Sequence, residues 1–202
     1  VEFESGLWAT TREEAMVERV VFTDAEEEKD CHGDVLVELL EKMKRGGVGS
    51  STMRAHWKHF VYLMKHKWFV LVECVKLGIA WRGLVHDLSK FGLTEWGAYT
   101  RFFFVEKNDE NRKAFDRAWL HHMRVNDHHW QAWIEPKADG NTVYPMPDAC
   151  RREMLADWRG AGRAQGKGDD VQEWYGMNRE KMVLHDETRE WIEEMIYGGS
   201  EV

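Results

Sequence analysis

The stretch GLVHDLSKFG, residues 83–92, places a histidine and an aspartate side by side inside an apolar run. A buried ionised carboxylate is costly unless a cation or hydrogen-bond donors pair with it. His86 and Asp87 therefore have two interpretations: a local hydrogen-bonded pair in a helix, or two ligands of a metal ion. The second interpretation requires further histidines and carboxylates that converge from other helices.

The residues before and around this stretch have the periodicity of α-helices. Residues 52–77 form one long helical pattern that ends at Gly78, and residues 79–91 form a second pattern that contains the quoted stretch. On a wheel of about 100° per residue, His59 and His66 share the apolar stripe of the first helix. We therefore predict that His66 points into a core.

Two further helices and a turn follow. Thr94 is predicted to cap the helix EWGAYTRFFF, and Asp109 to cap the helix NRKAFDRAWLHHMRV. After His129 the segment WQAWIEPKADGNTVYPMP has aromatic and β-branched residues around an Asp-Gly turn. This composition predicts a short hairpin or an irregular loop.

The remainder of the chain returns to helical patterns. Pro147 occupies a predicted first helical position before DACRREMLADWRG, and GAGRAQGKGDD is predicted to be a glycine-rich loop. VQEWYGMNREKM and DETREWIEEMIY are the last two predicted helices. The chain is therefore expected to have a mostly α fold.

Residues 1–50 are interpreted as an N-terminal helical extension to a helical domain over residues 51–202. DVLVELLEKMKR in this extension is predicted to form an amphipathic helix that Gly46 and Gly47 terminate, and GGVGSS is predicted to be a linker. The extension contains no residue pattern with a chemical role, which leaves a docking element or a lid as its interpretation.

Composition excludes several classes of protein. Hydrophobic residues make up 43% and charged residues 32%, as in soluble globular chains, and the apolar runs are too short to span a membrane. The N-terminus lacks the pattern of a signal peptide, so a cytoplasmic protein is expected. A formal charge of −8 argues against extended nucleic-acid binding. Cys31, Cys74 and Cys150 share no CxxC spacing, so any metal would be held by histidine and carboxylate.

Eight of the ten histidines fall between His56 and His129. The wheel favours His122 over His121, because His122 shares its side of the helix with apolar residues and His121 lies beside two arginines. The wheel does not choose between His128 and His129. The candidate metal ligands, in chain order, are His66, His86, Asp87, His122, His128 or His129, and Asp157.

A second His-Asp pair tests this reasoning within the same chain. His185 and Asp186 lie where a helix is predicted to begin, and Asp186 is adequately explained as its N-cap. Any single candidate ligand has such an ordinary structural explanation. It is the occurrence of five candidate positions in one order, with the adjacent His86 and Asp87 counted as one, that favours a metal site.

The order H…HD…H…H…D resembles the HD-domain superfamily of metal-dependent phosphohydrolases, which are helical bundles. More narrowly, VHDLSKFGLTEWGAYTRFF, AWLHHMRVNDHHWQAW and REMLADW resemble an uncharacterised, phage-associated family of HD-like proteins. The resemblance covers roughly residues 54–195. It implies a fold of HD-domain type and a metal-dependent reaction.

By this resemblance, two divalent ions would bind, with manganese, iron, cobalt, zinc and magnesium all compatible. His66, His86, Asp87 and Asp157 would hold one ion, and His122 with a histidine of NDHH would hold the other. Asp87 would bridge the two. Asp87 and Lys90 are the predicted catalytic residues, because Lys90 lies about one helical turn after Asp87 and could reach a bound phosphate.

The reaction that the resemblance implies is hydrolysis of a phosphate ester by a bridging hydroxide, with a nucleotide as the expected substrate. Aromatic side chains are candidates for stacking on its base, and basic side chains for binding its phosphate. These candidates are Trp130, Trp133, Trp96 and Tyr99 for the base, and Lys90, Arg124, Arg101, Arg151 and Arg163 for the phosphate.

Two other functions remain open at this point. The same ligand set with iron in both positions supports O2-dependent cleavage in some HD-domain relatives, so a diiron oxygenase is one alternative. The other is a phage protein of the host cytoplasm that binds or inhibits a partner and keeps a structural metal site. A homo-oligomer is compatible with each of these functions.

Overall fold

The computed structural model describes residues 49–168 and 170–198. These residues are mostly helical, as predicted. The α-helices are α1 (Gly49–Lys76), α2 (Ala80–Val85), α3 (Trp96–Phe104), α4 (Asp109–Val125), α5 (Asp148–Ala164), α6 (Val171–Asn178) and α7 (Asp186–Tyr197). Short 3-10 helices span Leu88–Phe91, Trp130–Trp133 and Arg179–Lys181.

A two-stranded antiparallel hairpin interrupts the helices. Strand β1 (Ile134–Lys137) pairs with β2 (Gly140–Val143), and Lys137 lies opposite Gly140. The segment is therefore a hairpin rather than an irregular loop, and its two turn residues are Ala138 and Asp139, with Gly140 as the first residue of β2. Gly140 has a φ of 133°, a conformation that favours glycine.

The core consists of three apolar clusters around α5. One lies between α5, α6 and α7 and includes Leu155, Tyr175 and Ile192, which are fully buried. A second joins α3, α4 and α5, and a third, around Val70 of α1, joins α1 and α5. Helix α5 therefore contacts most of the described bundle, and α1 crosses it.

Two glycines permit close helix packing. A Cβ on Gly160 of α5 would lie 2.6 Å from Val70 Cγ2 and 2.8 Å from the Val70 main-chain nitrogen. A Cβ on Gly83 of α2 would lie 2.8 Å from Cys74 Cβ. The prediction that a loop begins at Gly160 was wrong, since α5 continues to Ala164. Glycine at this position allows two helices to approach closely and does not break the helix.

The residues that cap the helix N-termini differ from those predicted. The side chain of Asn108, rather than Asp109, accepts the hydrogen bond of Asn111 N at the start of α4. His185 Nδ1, rather than Asp186, accepts from Glu187 N at the start of α7. Pro147 lies one position before the first residue of α5. Thr94 does not cap α3, because the residue before that helix is Glu95 and no side chain there makes a capping hydrogen bond.

The predicted N-terminal extension lies outside the described residues, except that Gly49, Ser50 and Ser51 of its predicted linker form the first turn of α1. Among residues 49–168 and 170–198, no helix is both long enough and apolar enough to cross a membrane.

Candidate metal centre

His86 and Asp87 lie at a break between α2 and the first 3-10 helix. The continuous helix predicted over residues 79–91 was wrong, because α2 ends at Val85 and Asp87 adopts a left-handed conformation with φ 55°. Adjacent residues of an α-helix point about 100° apart, so a continuous helix would not aim both side chains at one point. The break allows both side chains to point toward the same place. The left-handed conformation of a residue other than glycine costs about 1–2 kcal/mol.

The first candidate group brings together four side chains from α1, the break and α5. His66 Nε2 lies 3.2 Å from Asp157 Oδ1 and 3.3 Å from His86 Nε2. His86 Nε2 lies 3.3 Å from Asp87 Oδ2 and 3.5 Å from Asp157 Oδ1, and His66 Nε2 lies 3.7 Å from Asp87 Oδ2. All four side chains were predicted to share one ion.

These separations fit a common cation. Four ligand atoms arranged tetrahedrally at about 2.05 Å from one centre lie about 3.3 Å from each other. The five distances between these ligand atoms, 3.2 to 3.7 Å, are close to that value. His66, His86 and Asp157 could therefore hold a metal ion, with one Asp87 oxygen as a fourth ligand.

The second candidate group is formed by Asp87, His122, His128 and His129, whose ligand atoms all lie within 4.8 Å of one another. Asp87 Oδ1 lies 3.3 Å from His122 Nε2 and 3.5 Å from His128 Nε2. Asp87 Oδ1 and the Nε2 atoms of the three histidines are buried and have no hydrogen-bond partner among the described residues. Buried polar atoms are normally satisfied, so a group of four such atoms fits a cation.

The inward position predicted for His122 rather than His121 is confirmed, because His122 is fully buried and the side chain of His121 is 41% exposed. Both His128 and His129, between which the sequence does not choose, belong to the second group. The backbone after α4 leaves the helix at Asn126 and brings these consecutive histidines to the same point. A helical wheel does not describe this segment.

Two buried glutamates orient the histidines through contacts with their Nδ1 atoms. Glu95 Oε2 lies 2.8 Å from His122 Nδ1, and its Oε1 lies 2.8 Å from His121 Nδ1. Glu153 Oε1 lies 2.9 Å from His86 Nδ1 and 3.3 Å from His128 Nδ1. A carboxylate at Nδ1 accepts its proton and leaves Nε2 as the ligand atom, which is the usual arrangement at metal-binding histidines.

Burial and neighbouring charge set the protonation of the carboxylates. Burial alone would raise the pKa of Asp87, but His86, Lys90 and His122 hold it well below its usual range. Burial would likewise raise the pKa of Glu153, yet hydrogen bonds from His128 and His86 lower it to about 2. These carboxylates are therefore ionised, as metal ligands and their partners must be.

The histidines differ in their protonation. Burial lowers the pKa of His129 well below its usual value, and His128 and His122 add to this effect, so its imidazole is neutral. Burial would also lower the pKa of His86, but the neighbouring charge of Asp87, followed by Asp157 and Glu153, raises it well above. A cation at the first group would have to displace that proton.

Basic side chains line the break. Lys90 is buried, and its Nζ lies 3.1 Å from Asp87 Oδ2. Lys67 Nζ donates to the main-chain carbonyl of His86, and Arg82 donates to Glu153 and Asp127. Lys90 thus lies on the predicted side of the break. Lys67 connects α1 to the break, and Arg82 connects α2 to α5.

The other predicted substrate residues make their described contacts mainly outside the two groups. Arg124 is exposed and, two residues after His122, projects from a different side of α4. Trp130 and Trp133 pack against the apolar cluster of α5, α6 and α7. Of the remaining candidates, Arg163 pairs with Glu73, Arg151 lies 4.9 Å from the Trp191 ring, Arg101 is exposed, Tyr99 is buried and Trp96 stacks on His59.

Sequence reasoning missed Glu95, Glu153, Lys67 and Arg82. Glu153 had a detectable signal, since it lies four residues before Asp157 and therefore on the same face of α5. Glu95 directly precedes α3, where an acidic residue is ordinary, and no periodicity distinguishes it. Its role depends on contacts with α4, which is distant in the sequence.

The model of the Family of unknown function (DUF5662) matches residues 55–197, which contain every residue of both candidate groups. Neither a curated protein nor a solved structure matches the chain.

Proposed function

We propose that this chain, which belongs to the Family of unknown function (DUF5662), is a metal-dependent phosphohydrolase that cleaves a phosphate ester. A nucleotide is the favoured substrate class. The reaction class comes from the resemblance of the ligand order to the HD-domain superfamily, and the side-chain geometry described above supports it.

One observation carries the proposal: the two oxygens of Asp87 face different groups of histidines. Oδ2 lies 3.3 Å from His86 Nε2, whereas Oδ1 lies 3.3 Å from His122 Nε2. A carboxylate shared by two cations presents one oxygen to each of them. This division supports a pair of cations, which is a recurrent arrangement in enzymes that cleave phosphate esters.

A pair of bound divalent cations would supply a water activated at neutral pH and positive charge for the phosphoryl oxygens. The chain's own contribution is to hold the ligands in place before substrate binds. Glu153 and Glu95 fix the ring orientation of His86, His128 and His122. A site whose groups are already oriented does not have to reorganise when charge develops during the reaction.

Lys90 is the proposed second catalytic residue. Its ammonium group is buried 3.1 Å from Asp87 Oδ2, so it adds positive charge at the edge of the first group. A fixed positive charge at this position would bind a phosphoryl oxygen and stabilise the negative charge that builds up there. Removing the Lys90 side chain is expected to lower kcat by a larger factor than it lowers the metal content.

Substrate would approach from the side of Asp157. The side chain of Asp157 is 18% exposed, whereas those of His66, His86 and Asp87 are 4% exposed or less. Within the first group, the accessible ligand is thus Asp157. Burial of the other ligands excludes bulk water and strengthens the electrostatic interactions within the site.

The test begins with elemental analysis of the purified full chain and continues with a phosphate-release screen over mono-, di- and triphosphate nucleotides. We expect close to two divalent ions per chain and release of phosphate from at least one substrate. Asp87→Ala is expected to lose both metal and activity. His185→Ala, which removes the histidine of the second His-Asp pair, is expected to keep both.

Three outcomes contradict the proposal. Asp87→Ala with undiminished metal and activity would show that the groups were assigned wrongly. Iron with O2 consumption and no phosphate release would favour the diiron oxygenase. Tightly held metal without turnover over the whole panel would favour a binding protein with a structural site.

A further inference from the structure

Helix α1 exposes an apolar stripe on its outer face. Met53 and Trp68, near the two ends of the stripe, are 63% and 62% exposed. The stripe follows the spacing of one helix face and consists of Met53, Trp57, Phe60, Val61, Met64 and Trp68. A contiguous exposed apolar patch of this kind marks an interaction surface.

The stripe is additional to the face that α1 already buries. Leu63, His66 and Val70 point into the bundle and are at most 3% exposed. On the helical wheel, the stripe centres more than a quarter turn away from these residues. A surface helix normally has one apolar face, so the second face of α1 requires an occupant.

The position of α1 in the chain indicates what that occupant is. The described residues begin at Gly49, in the first turn of α1, so residues 1–48 join the protein at the Met53 end of the stripe. Residues 34–45, DVLVELLEKMKR, place their apolar residues on one side of a helical wheel. Gly46 and Gly47 follow, and helical hairpins commonly reverse within two to five residues.

Length also agrees with this arrangement. Twelve residues of α-helix span about 18 Å, and the stripe from Met53 to Trp68 spans about 22 Å. A segment that reverses at Gly46 and Gly47 would run antiparallel to α1. Its Leu36 would then lie opposite Phe60, and its Met43 opposite Met53.

The charges of the two parts favour the segment over a second copy of the chain as the occupant. Residues 1–48 contain 13 acidic and six basic side chains, which gives them a net charge of −7 out of the −8 of the whole chain. Helix α1 contains five basic residues and one acidic residue, and Arg54, Lys58 and Lys65 lie along one edge of the stripe. Residues 34–45 contain three acidic and three basic side chains, so the docking segment itself is neutral and the excess negative charge precedes it in the chain. A neutral segment is favoured over a second α1, whose own basic edge would be repelled.

We infer that residues 34–45 cover the apolar stripe of α1 as an antiparallel helix. This inference is independent of the proposed phosphohydrolase activity, since the stripe contains no residue of either candidate metal group. It identifies the N-terminal extension as an internal docking element.

Disulfide trapping in the full chain tests the inference. Cys31 is first replaced by serine. Cys74 and Cys150 are buried, which raises the pKa of each thiol to about 12, so they do not compete under mild oxidation. The test pair is Leu36→Cys with Phe60→Cys. The matched control is Glu38→Cys with Phe60→Cys, because Glu38 lies on the charged side of the segment.

The test pair is expected to form an intramolecular disulfide at least about tenfold faster than the control, because docking raises the effective concentration of its thiols. Non-reducing electrophoresis and peptide mapping identify the product. A cross-linked dimer would instead assign the stripe to a second copy of the chain. Equal rates for the two pairs would overturn the inference and leave the stripe to another partner. The pair Met43→Cys with Met53→Cys repeats the test if Phe60→Cys disturbs folding, which circular dichroism detects.

Discussion

Asp87 Oδ1 lies 3.3 Å from His122 Nε2, although one residue lies in the break after α2 and the other near the end of α4. Asp87 Oδ2 faces His86 and His66 instead. This single carboxylate therefore connects two groups of candidate ligands, and it adopts a left-handed backbone conformation where it does so. Substitution of residues that belong to one group or to both therefore distinguishes the two candidate metal sites.

His66→Ala and His129→Ala should each remove one bound ion, whereas Asp87→Ala should remove two. His66 belongs to the first group, His129 to the second and Asp87 to both. The number of ions per chain, measured by elemental analysis after dialysis against a divalent metal, checks this prediction. Loss of both ions from His66→Ala and from His129→Ala alike would mean that the two groups form one site.

His185→Ala provides the control for these substitutions. His185 caps α7 and lies in neither candidate group, so its removal should cost about 1 kcal/mol of helix-capping stability and leave the metal content unchanged.

Glu95→Leu should weaken binding of the second ion about 10- to 100-fold and leave the first unaffected, because Glu95 orients His122 and not His66 or His86. Glu95→Gln should retain most of the affinity. Glutamine keeps one acceptor oxygen for His122, and its amide can donate to the partly exposed His121. Competitive titration with a chromophoric chelator measures both affinities. Equal losses in the two variants would indicate that charge, not orientation, is what Glu95 contributes.

Gly160→Ala should destabilise the protein by about 1–3 kcal/mol, because a methyl group would overlap the main chain of Val70. Gly176→Ala is the matched control in α6. Nothing lies within 4 Å of a Cβ at Gly176, so alanine there should stabilise by about 0.5–1 kcal/mol. Urea unfolding of both variants measures the two free energies. A stabilised Gly160→Ala variant would refute the close crossing of α1 and α5.

His59→Gln should reduce the loss of stability on acidification. Burial, followed by the charges of Lys90 and His56, lowers the pKa of His59 from 6.5 to about 3. Its Nδ1 lies 2.8 Å from Thr100 Oγ1, a contact that glutamine can also make. Between pH 6.5 and 3 the unfolded chain binds a proton that the native state does not. The contribution of His59 to the free energy of unfolding is thus complete above pH 6.5. It falls by about 1.4 kcal/mol for each pH unit between pH 6.5 and pH 3.

Urea midpoints at pH 4, 5, 6 and 7 in the presence of a chelator test this prediction. The difference in stability between wild type and His59→Gln should shift in favour of the variant as the pH falls. His185→Gln, which replaces a histidine outside this core, serves as the comparison. Parallel pH profiles for wild type and His59→Gln would contradict the expected effect.

Helical periodicity was sufficient to predict most of the elements and some side-chain directions. The inward position of His66 and the choice of His122 over His121 follow from the period of one helix, which neighbouring residues determine. The hairpin at Asp139 and Gly140 likewise depends on local backbone preference. The candidate ligands were found because histidine and aspartate at apolar positions are costly without a partner.

Tertiary structure decided the features that local preferences oppose or do not encode. A continuous helix was predicted through His86 and Asp87, but the backbone turns left-handed at Asp87. Residues from other elements contact this turn: Lys67 binds the His86 carbonyl, and His122 faces the Asp87 carboxylate, which Lys90 also contacts. Gly160 resembles a loop residue in the sequence and permits a helix crossing in the fold. Glu95 acquires its partners from α4, and His128 and His129 both turn inward because the backbone leaves the helix at Asn126. Sequence periodicity specifies the direction of a side chain within its own element, whereas the meeting of side chains from different elements depends on how those elements pack.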